Sequence, residues 1–201
     1  QHAVTQLRGG VFWMGSGDFY VLGGGGVQSL PCTVWDFVFQ DLDMDNAYKC
    51  TAGANSLFNE VRFDFPSVSG GTGEPDKFVC FNVTEGSWTQ GYNTSAISAA
   101  RSAWIDQSVL GQPIGAAPDT RLIYQHEVSP NADGAALAWF FETGWFVITE
   151  GHNLSFVDWC FPDMIWREQG DALTVTASVQ VTIYATDYPN GPVRTYGPYT
   201  M

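Results

Sequence analysis

Three aspartates at alternate positions, Asp41, Asp43 and Asp45, have the spacing in this chain that best fits a chemical site. An EF-hand loop opens in the same way, because Ca²⁺ takes oxygen ligands from alternate residues. The fit then ends, since Asn46 occupies the position of the invariant Gly and Ala52 that of the closing Glu. We therefore keep the three aspartates only as minor metal candidates.

Helix capping is the alternative role for the same aspartates. The segment from Ala47 to Ala54 has helical composition. An Asp at position 43 or 45 would cap the first turn and face the positive end of the helix dipole. We predict one short helix near residues 44–54.

Catalytic constellations are missing from the sequence. It contains no GxSxG motif or paired histidines, and no Lys-Ser/Thr follows the glycines from Gly23 to Gly26, as a phosphate loop requires. Among 21 acidic residues some carboxylates always lie close together, so no glycosidase pair can be singled out. We expect no enzymatic activity, no catalytic residue and no cofactor.

The charge balance restricts the possible partners. The formal net charge is −13 and the sequence pI is about 4.2. Proteins that grip nucleic acid use cations to neutralise phosphates, so this composition disfavours such a role. An acidic wall would instead let DNA slide past without sticking, although acidity can also serve solubility alone.

Composition and cysteine usage point to a β-rich chain with a real core. Hydrophobic residues make up 45% of the sequence, and no apolar run approaches the roughly 20 residues of a membrane span. We therefore expect no membrane integration. The four cysteines are widely spaced and form no CxxC pair, so we expect reduced, packed thiols.

The stretch from Asn59 to Trp88 has the pattern of one β-propeller blade. Its first strand alternates apolar and charged residues around Phe63, and its second strand, around Cys80, is apolar on both faces. A turn with Gly86 at a position that needs positive φ then leads to Trp88.

Similar hairpins occur on either side of this stretch. Their first strands begin at Val11, Val61 and Ile114, which are 50 and 53 residues apart. Kelch-type blades repeat at about 50 residues, so the spacing favours an all-β, partial β-propeller over residues 1–133. An unrelated β-sandwich is the alternative.

The character changes beyond a turn cluster at residues 130–134. Long alternating runs, the last from Thr174 to Ala185, favour a β-sandwich-like module over residues 134–201. The chain begins with Gln1 and stops in mid-run at Met201, so we expect this module to be incomplete. Six tryptophans are predicted as packing or subunit anchors: Trp13, Trp35, Trp88, Trp104, Trp139 and Trp145.

The order of several short motifs resembles tail proteins of tailed bacteriophages, best over residues 10–130. In chain order these motifs are Trp35-Asp-Phe-Val-Phe39, Asp41-Leu-Asp-Met-Asp45, Tyr48-Lys49, Ala52-Gly-Ala-Asn55, Phe58-Asn-Glu-Val61, Phe65-Pro66, Asp76-Lys-Phe-Val79 and Arg101-Ser-Ala-Trp-Ile-Asp106. Cys80-Phe81-Asn82 departs from the family, whose members tend to have Tyr-based pairs there.

This resemblance implies a structural virion protein. The family is similar to tail nozzle or packaged-DNA-stabilisation proteins, which form a ring below the portal and adaptor. It implies a homo-oligomeric ring, expected to be a hexamer, through which the viral dsDNA passes without specific binding. Portal, adaptor and other tail proteins would be the partners.

Two rival hypotheses remain open. Exposed aromatic residues also stack on sugars, so the chain could be a carbohydrate-binding receptor protein or depolymerase of a phage tail. The sequons at Asn82, Asn93 and Asn153 would fit a secreted glycoprotein lectin.

Overall fold

The protein is predominantly β, which confirms the predicted all-β class. It divides into two compact units, Gln1–Trp139 and Phe140–Met201. The predicted division at residues 133/134 stays a prediction. The computed structural model describes residues 3–93, 100–107, 109, 111–118, 120–128, 131–132, 135–136, 139–148, 156–160 and 178–201.

Two four-stranded antiparallel sheets make up most of the first unit, and each runs in simple meander order. The first sheet contains β1 (Val4–Leu7), β2 (Gly10–Met14), β3 (Phe19–Gly23) and β4 (Gly26–Leu30). The second sheet contains β5 (Thr51–Asn55), β6 (Glu60–Pro66), β7 (Pro75–Asn82) and β8 (Ser87–Tyr92). Gly86 has φ +70° in the turn before β8, as its position predicts.

Two short helices connect these sheets, α1 (Trp35–Phe39) and a 3-10 helix (Met44–Lys49). The predicted helix near 44–54 is therefore wrong in its second half, where Thr51–Asn55 form β5. A short helix gains little by itself, whereas β5 gains a full ladder with β6. The sequence patterns did not predict α1, whose Val38 is fully buried in the core.

The core lies between the first two sheets, which pack face to face. Phe19 of β3 is fully buried, and its ring centroid lies 4.9 Å from that of Phe63 on β6 and 4.7 Å from that of Trp88 on β8. Phe12 of β2 and Phe81 of β7 are 6.3 Å apart by ring centroids. Successive residues of a strand point to opposite faces of the sheet, so the residues between these apolar side chains lie on the opposite face.

That opposite face is covered by a third antiparallel sheet in the order β11-β10-β9. Its strands are β9 (Ala103–Ile105), β10 (Ile114–Ala117) and β11 (Leu122–Gln125). Trp104 of β9 lies so close to Gly53 of β5 that a Cβ there would sit 2.3 Å from the indole. A glycine is therefore required at this contact. A short hairpin, β12 (Asn131–Ala132) and β13 (Ala135–Ala136), follows.

The three hairpins identified in the sequence occupy equivalent places. They are β2–β3, β6–β7 and β10–β11, in each case the second and third strands of an antiparallel sheet. The first strands also lie together, β1 beside β5 and β5 beside β9.

The second unit contains one described hairpin, formed by β14 (Gln180–Ala185) and β15 (Arg194–Thr200). Residues 140–148 carry no strand despite their apolar runs. The predicted strand from Thr174 lies partly outside the described residues. Over the part of the chain that the structure describes, no helix has the length and apolarity of a membrane crossing.

Candidate functional site

The three predicted metal candidates hold separate structural positions. Asp41 Oδ2 accepts a hydrogen bond from Lys77 Nζ at 2.6 Å. Asp43 Oδ1 accepts from the backbone N–H of Asp45 at 3.1 Å, which confirms the predicted capping role for Asp43. The Asp45 side chain is exposed. Among the described residues, no three His, Cys, Asp or Glu side chains are grouped to hold a metal ion.

Lys77 is held in a small aromatic enclosure beside Asp41. Its Nζ lies 4.8 Å from the ring centroid of Phe37 and 5.3 Å from that of Tyr92, and its side chain is 9% exposed. Burial alone would raise the pKa of Asp41, but hydrogen bonds from Lys77 and Ser69 lower it below its usual value. This ion pair ties the start of β7 to the loop after α1.

A second and more buried group of charges lies between the second and third sheets. Arg62 Nε and Nη2 donate to the two carboxylate oxygens of Asp64 at 2.9 and 2.7 Å. Asn93 accepts from Arg62 at 2.7 Å and donates to Asp64 at 2.9 Å. The side chains of Arg62 and Asp64 are only 12% and 4% exposed. Each member satisfies the others, which is the condition for burying charge.

Aromatic rings cover the Arg62 guanidinium from two sides. Its Cζ lies 3.7 Å from the ring centroid of Phe78 and 5.6 Å from that of Trp104. Trp104 is held in turn by a hydrogen bond from Nε1 to the carbonyl oxygen of Ala54 at 2.7 Å. These contacts join β9 of the third sheet to β5–β7 of the second.

A third pair, Arg101 and His126, lies near this group. We call the five residues Arg62, Asp64, Asn93, Arg101 and His126 the polar layer. Arg101 Nε donates to His126 Nε2 at 3.1 Å, so the imidazole accepts as a neutral group. Burial lowers the pKa of His126 to about 3, helped by the nearby charges of Arg62 and Arg101. A histidine with this pKa is unsuited to proton transfer near neutral pH.

The sequence could not predict the polar layer, because Asn93, Arg101 and His126 lie far from Arg62 and Asp64 along the chain. Only the alternation of Arg62 and Asp64 with apolar neighbours indicated that both side chains share one face. Asn93 belongs to a sequon, but its amide nitrogen donates within the protein to Asp64 and to the carbonyl oxygen of Pro75.

The six predicted tryptophan anchors fall into two groups. Four lie in structured contacts: Trp13 stacks on Tyr20, Trp35 and Trp88 donate to the carbonyl oxygens of Gly17 and Pro31, and Trp104 donates to that of Ala54. The other two are largely exposed, Trp139 at 65% and Trp145 at 66%.

Exposed aromatic and aliphatic side chains are concentrated in two stretches of the second unit, residues 140–148 and 156–159, which we call the apolar segments. Phe141 is 81% exposed, Phe146 74% and Phe156 88%. Glu142 is the one charged residue within 140–148. Surfaces of this kind mark interaction sites, because single exposed apolar residues are common but runs of them are not.

The four cysteines are free thiols, as predicted, but the predicted packing holds for Cys50 and Cys80, which are buried, and is wrong for Cys160, which is exposed. Burial raises the pKa of Cys50 and of Cys80 to about 12. Thiolates are the reactive form, so these two thiols behave as small apolar side chains.

Taken together, the polar layer is suited to holding two sheets together, and the apolar segments are suited to binding another surface. The groups that sequence reasoning selected for chemistry are dispersed, with Asp41 paired to Lys77 and Asp43 capping a helix. No protein-family model matches the chain, and no curated protein sequence matches it significantly.

Proposed function

We propose that this chain is a structural virion protein of a bacteriophage tail, a nozzle or hub subunit whose ring forms part of the conduit that retains and ejects the dsDNA genome. The observation that carries the proposal is the exposure of the apolar segments. Phe141, Phe146 and Phe156 would be covered when neighbouring subunits assemble.

The hairpin of the second unit also supports assembly. Both strands of β14–β15 are largely exposed, including Tyr184, Tyr196 and Tyr199. Among the described residues no third strand joins this hairpin, and a two-stranded hairpin is marginally stable in water unless a further surface packs against it. In our proposal that surface belongs to a neighbouring copy of the chain.

The arrangement of the first unit supports the propeller part of the proposal. Three antiparallel sheets stack in succession, with equivalent hairpins and with β1, β5 and β9 side by side. Blades of a β-propeller stack in this way around an axis lined by their first strands. A complete propeller has about four to eight blades, so these three sheets would form part of one.

The charge of the chain fits a conduit. A net charge of −13 repels phosphate, and repulsion keeps a passing duplex from sticking. The order of the short sequence motifs from Trp35 to Asp106 provides the link to phage tails.

Carbohydrate binding is the second candidate function. Trp139, Trp145 and Trp159 are all at least 65% exposed, and indole rings are suitable platforms for sugar rings. A tail receptor protein or depolymerase would use such platforms.

Electron cryo-microscopy of the native particle tests the proposal. We expect the chain in a ring on the tail axis, below the portal and adaptor, with the apolar segments at subunit contacts. A position away from the axis would contradict the nozzle proposal. Saturable binding of the purified chain to a glycan array, abolished by Trp145→Ala, would favour the receptor instead.

A further inference from the structure

Three residues with oxygen-bearing side chains, Asn55, Glu60 and Glu127, are grouped where the β5–β6 hairpin approaches the end of the third sheet. Asn55 and Glu60 are register partners on adjacent antiparallel strands, so their side chains share one face. Glu127 follows β11, and its Oε1 accepts a hydrogen bond from Asn55 Nδ2 at 3.2 Å. The hydrogen bond therefore puts Glu127 on the Asn55 amide, and the strand register puts Glu60 opposite Asn55 on the same face.

The other atom of that amide has no partner. Asn55 is only 4% exposed, and its Oδ1 is the one buried side-chain polar atom in the described part of the chain that lacks a hydrogen bond. Oδ1 and Nδ2 share the same carbon, so the bond to Glu127 also restrains the orientation of Oδ1. Buried acceptors are rarely left unpaired, and such an atom calls for an explanation.

The surrounding charges favour a positive ligand. Glu60 is half-buried, and its pKa is raised by burial and then by the negative charges of Glu127 and Glu85. Arg62 lies two residues further on the same face, but its guanidinium is committed to Asp64 and Asn93. One carboxylate is therefore hydrogen-bonded to the Asn55 amide, and a second belongs to the cross-strand partner of Asn55.

We infer that Asn55 Oδ1 and the carboxylates of Glu60 and Glu127 form a binding site for a divalent hard cation of the Ca²⁺ class. Ca²⁺ binds carboxylate and amide oxygens and accepts waters at its remaining positions, with flexible geometry. Glu127 can keep one oxygen on the Asn55 amide and offer the other to the cation. The site is independent of the proposed tail function and of the Asp41–Asp45 segment.

Such a cation would also join two sheets. Asn55 and Glu60 belong to the second sheet, whereas Glu127 follows the last strand of the third. Binding to the folded chain alone would stabilise it by mass action. We therefore expect the melting temperature of the full chain to rise with Ca²⁺ concentration.

Calorimetric titration with CaCl₂ and luminescence titration with Tb³⁺, both in 100 mM KCl, test the site. Trp104 donates to the carbonyl of Ala54, the residue before Asn55, and is therefore placed to sensitise a bound Tb³⁺. We expect saturable binding of one ion per chain, with Ca²⁺ displacing Tb³⁺.

Two variants and a matched control locate the ion. Glu60→Gln and Glu127→Gln each remove one charge, and Gln at 127 still offers an oxygen to the Asn55 amide. Loss of a ligand charge should weaken binding by about tenfold or more in either variant. Asp45→Asn removes an exposed carboxylate from the other candidate segment and should leave the affinity unchanged.

Circular dichroism of each variant checks that it folds. Glu127 is exposed, so Glu127→Gln should disturb folding less than Glu60→Gln. Absence of saturable binding at millimolar Ca²⁺ would overturn the inference. So would an affinity that survives Glu127→Gln in a folded chain, or that falls equally with Asp45→Asn.

Discussion

The two units of this chain place the same aromatic residue types in opposite surroundings. In the first unit Phe19 and Phe63 are fully buried and contact each other across two sheets. In the second unit Phe141 and Phe146 are more than 70% exposed. The comparison shows that aromatic content alone does not distinguish a core from an exposed apolar surface. What distinguishes them is whether paired strands bring a second apolar face into contact.

The largest effect is expected from truncation in the core of the first unit. Phe63→Ala removes a fully buried ring that packs on Phe19 and Trp88. We expect a loss of about 3–5 kcal/mol in the free energy of unfolding, measured by chemical denaturation. Phe146→Ala is the matched control, and it should change the stability of the monomer by less than about 0.5 kcal/mol. Equal losses in both variants would remove the contrast between the units.

Removing one partner of the Arg62–Asp64 ion pair should lower the unfolding free energy more than removing both partners. Asp64→Ala leaves the guanidinium of Arg62 buried without its carboxylate, at an expected cost of about 3 kcal/mol in unfolding free energy. The double variant Arg62→Met, Asp64→Leu removes both charges and should be less destabilised than Asp64→Ala. A double variant that is equally or more destabilised would show that the ion pair itself is needed.

Protonation linked to His126 should lower the unfolding free energy of the first unit at acidic pH. Its pKa of about 3 lies below the ordinary value of a histidine, so the unfolded chain takes up a proton on this residue at a higher pH than the folded chain. The stability contribution of neutral His126 is present above about pH 6.5 and is lost as the pH falls towards 3. Between pH 7 and pH 4.5 this loss should be about 2–3 kcal/mol, since each pKa unit corresponds to about 1.4 kcal/mol.

Denaturation of the wild-type chain and of His126→Gln at both pH values measures this contribution. The variant is expected to lose less stability than the wild-type chain on acidification, because Gln does not titrate. Parallel losses in the two proteins would assign the acid sensitivity to the carboxylates.

Much of the first unit follows from local sequence patterns. Alternation around Phe63 predicts β6 and its buried face, and the positive φ of Gly86 follows from its place in a turn. The helix predicted from residue propensities is wrong at Thr51–Asn55, which form β5. Pairing of β5 with β6 outweighs the helix preference of the individual residues.

The sites depended on contacts that no local pattern contains. Asn55 and Glu127 are 72 positions apart, and Arg62 and Asn93 are 31 apart. Neither pair has a motif that links its members. The alternate spacing of Asp41, Asp43 and Asp45, in contrast, suggested a metal site. In the structure Asp43 caps a helix and Asp41 forms an ion pair with Lys77. Short polar side chains are common at helix ends as well as at metal sites, so the spacing alone does not separate the two roles.

Substitutions in the apolar segments should have the smallest effect on the stability of the monomer and the largest effect on its association. Sedimentation velocity of the wild-type chain and of the double variant Phe141→Ser, Phe146→Ser compares their oligomeric states over a range of concentrations. Phe58→Ser, which alters an exposed aromatic of the first unit, is the control. We predict that the wild-type chain and Phe58→Ser form a discrete oligomer, whereas the double variant remains a folded monomer. A wild-type chain that stays monomeric at all concentrations, or a double variant that assembles as the wild type does, would contradict the proposed assembly surface.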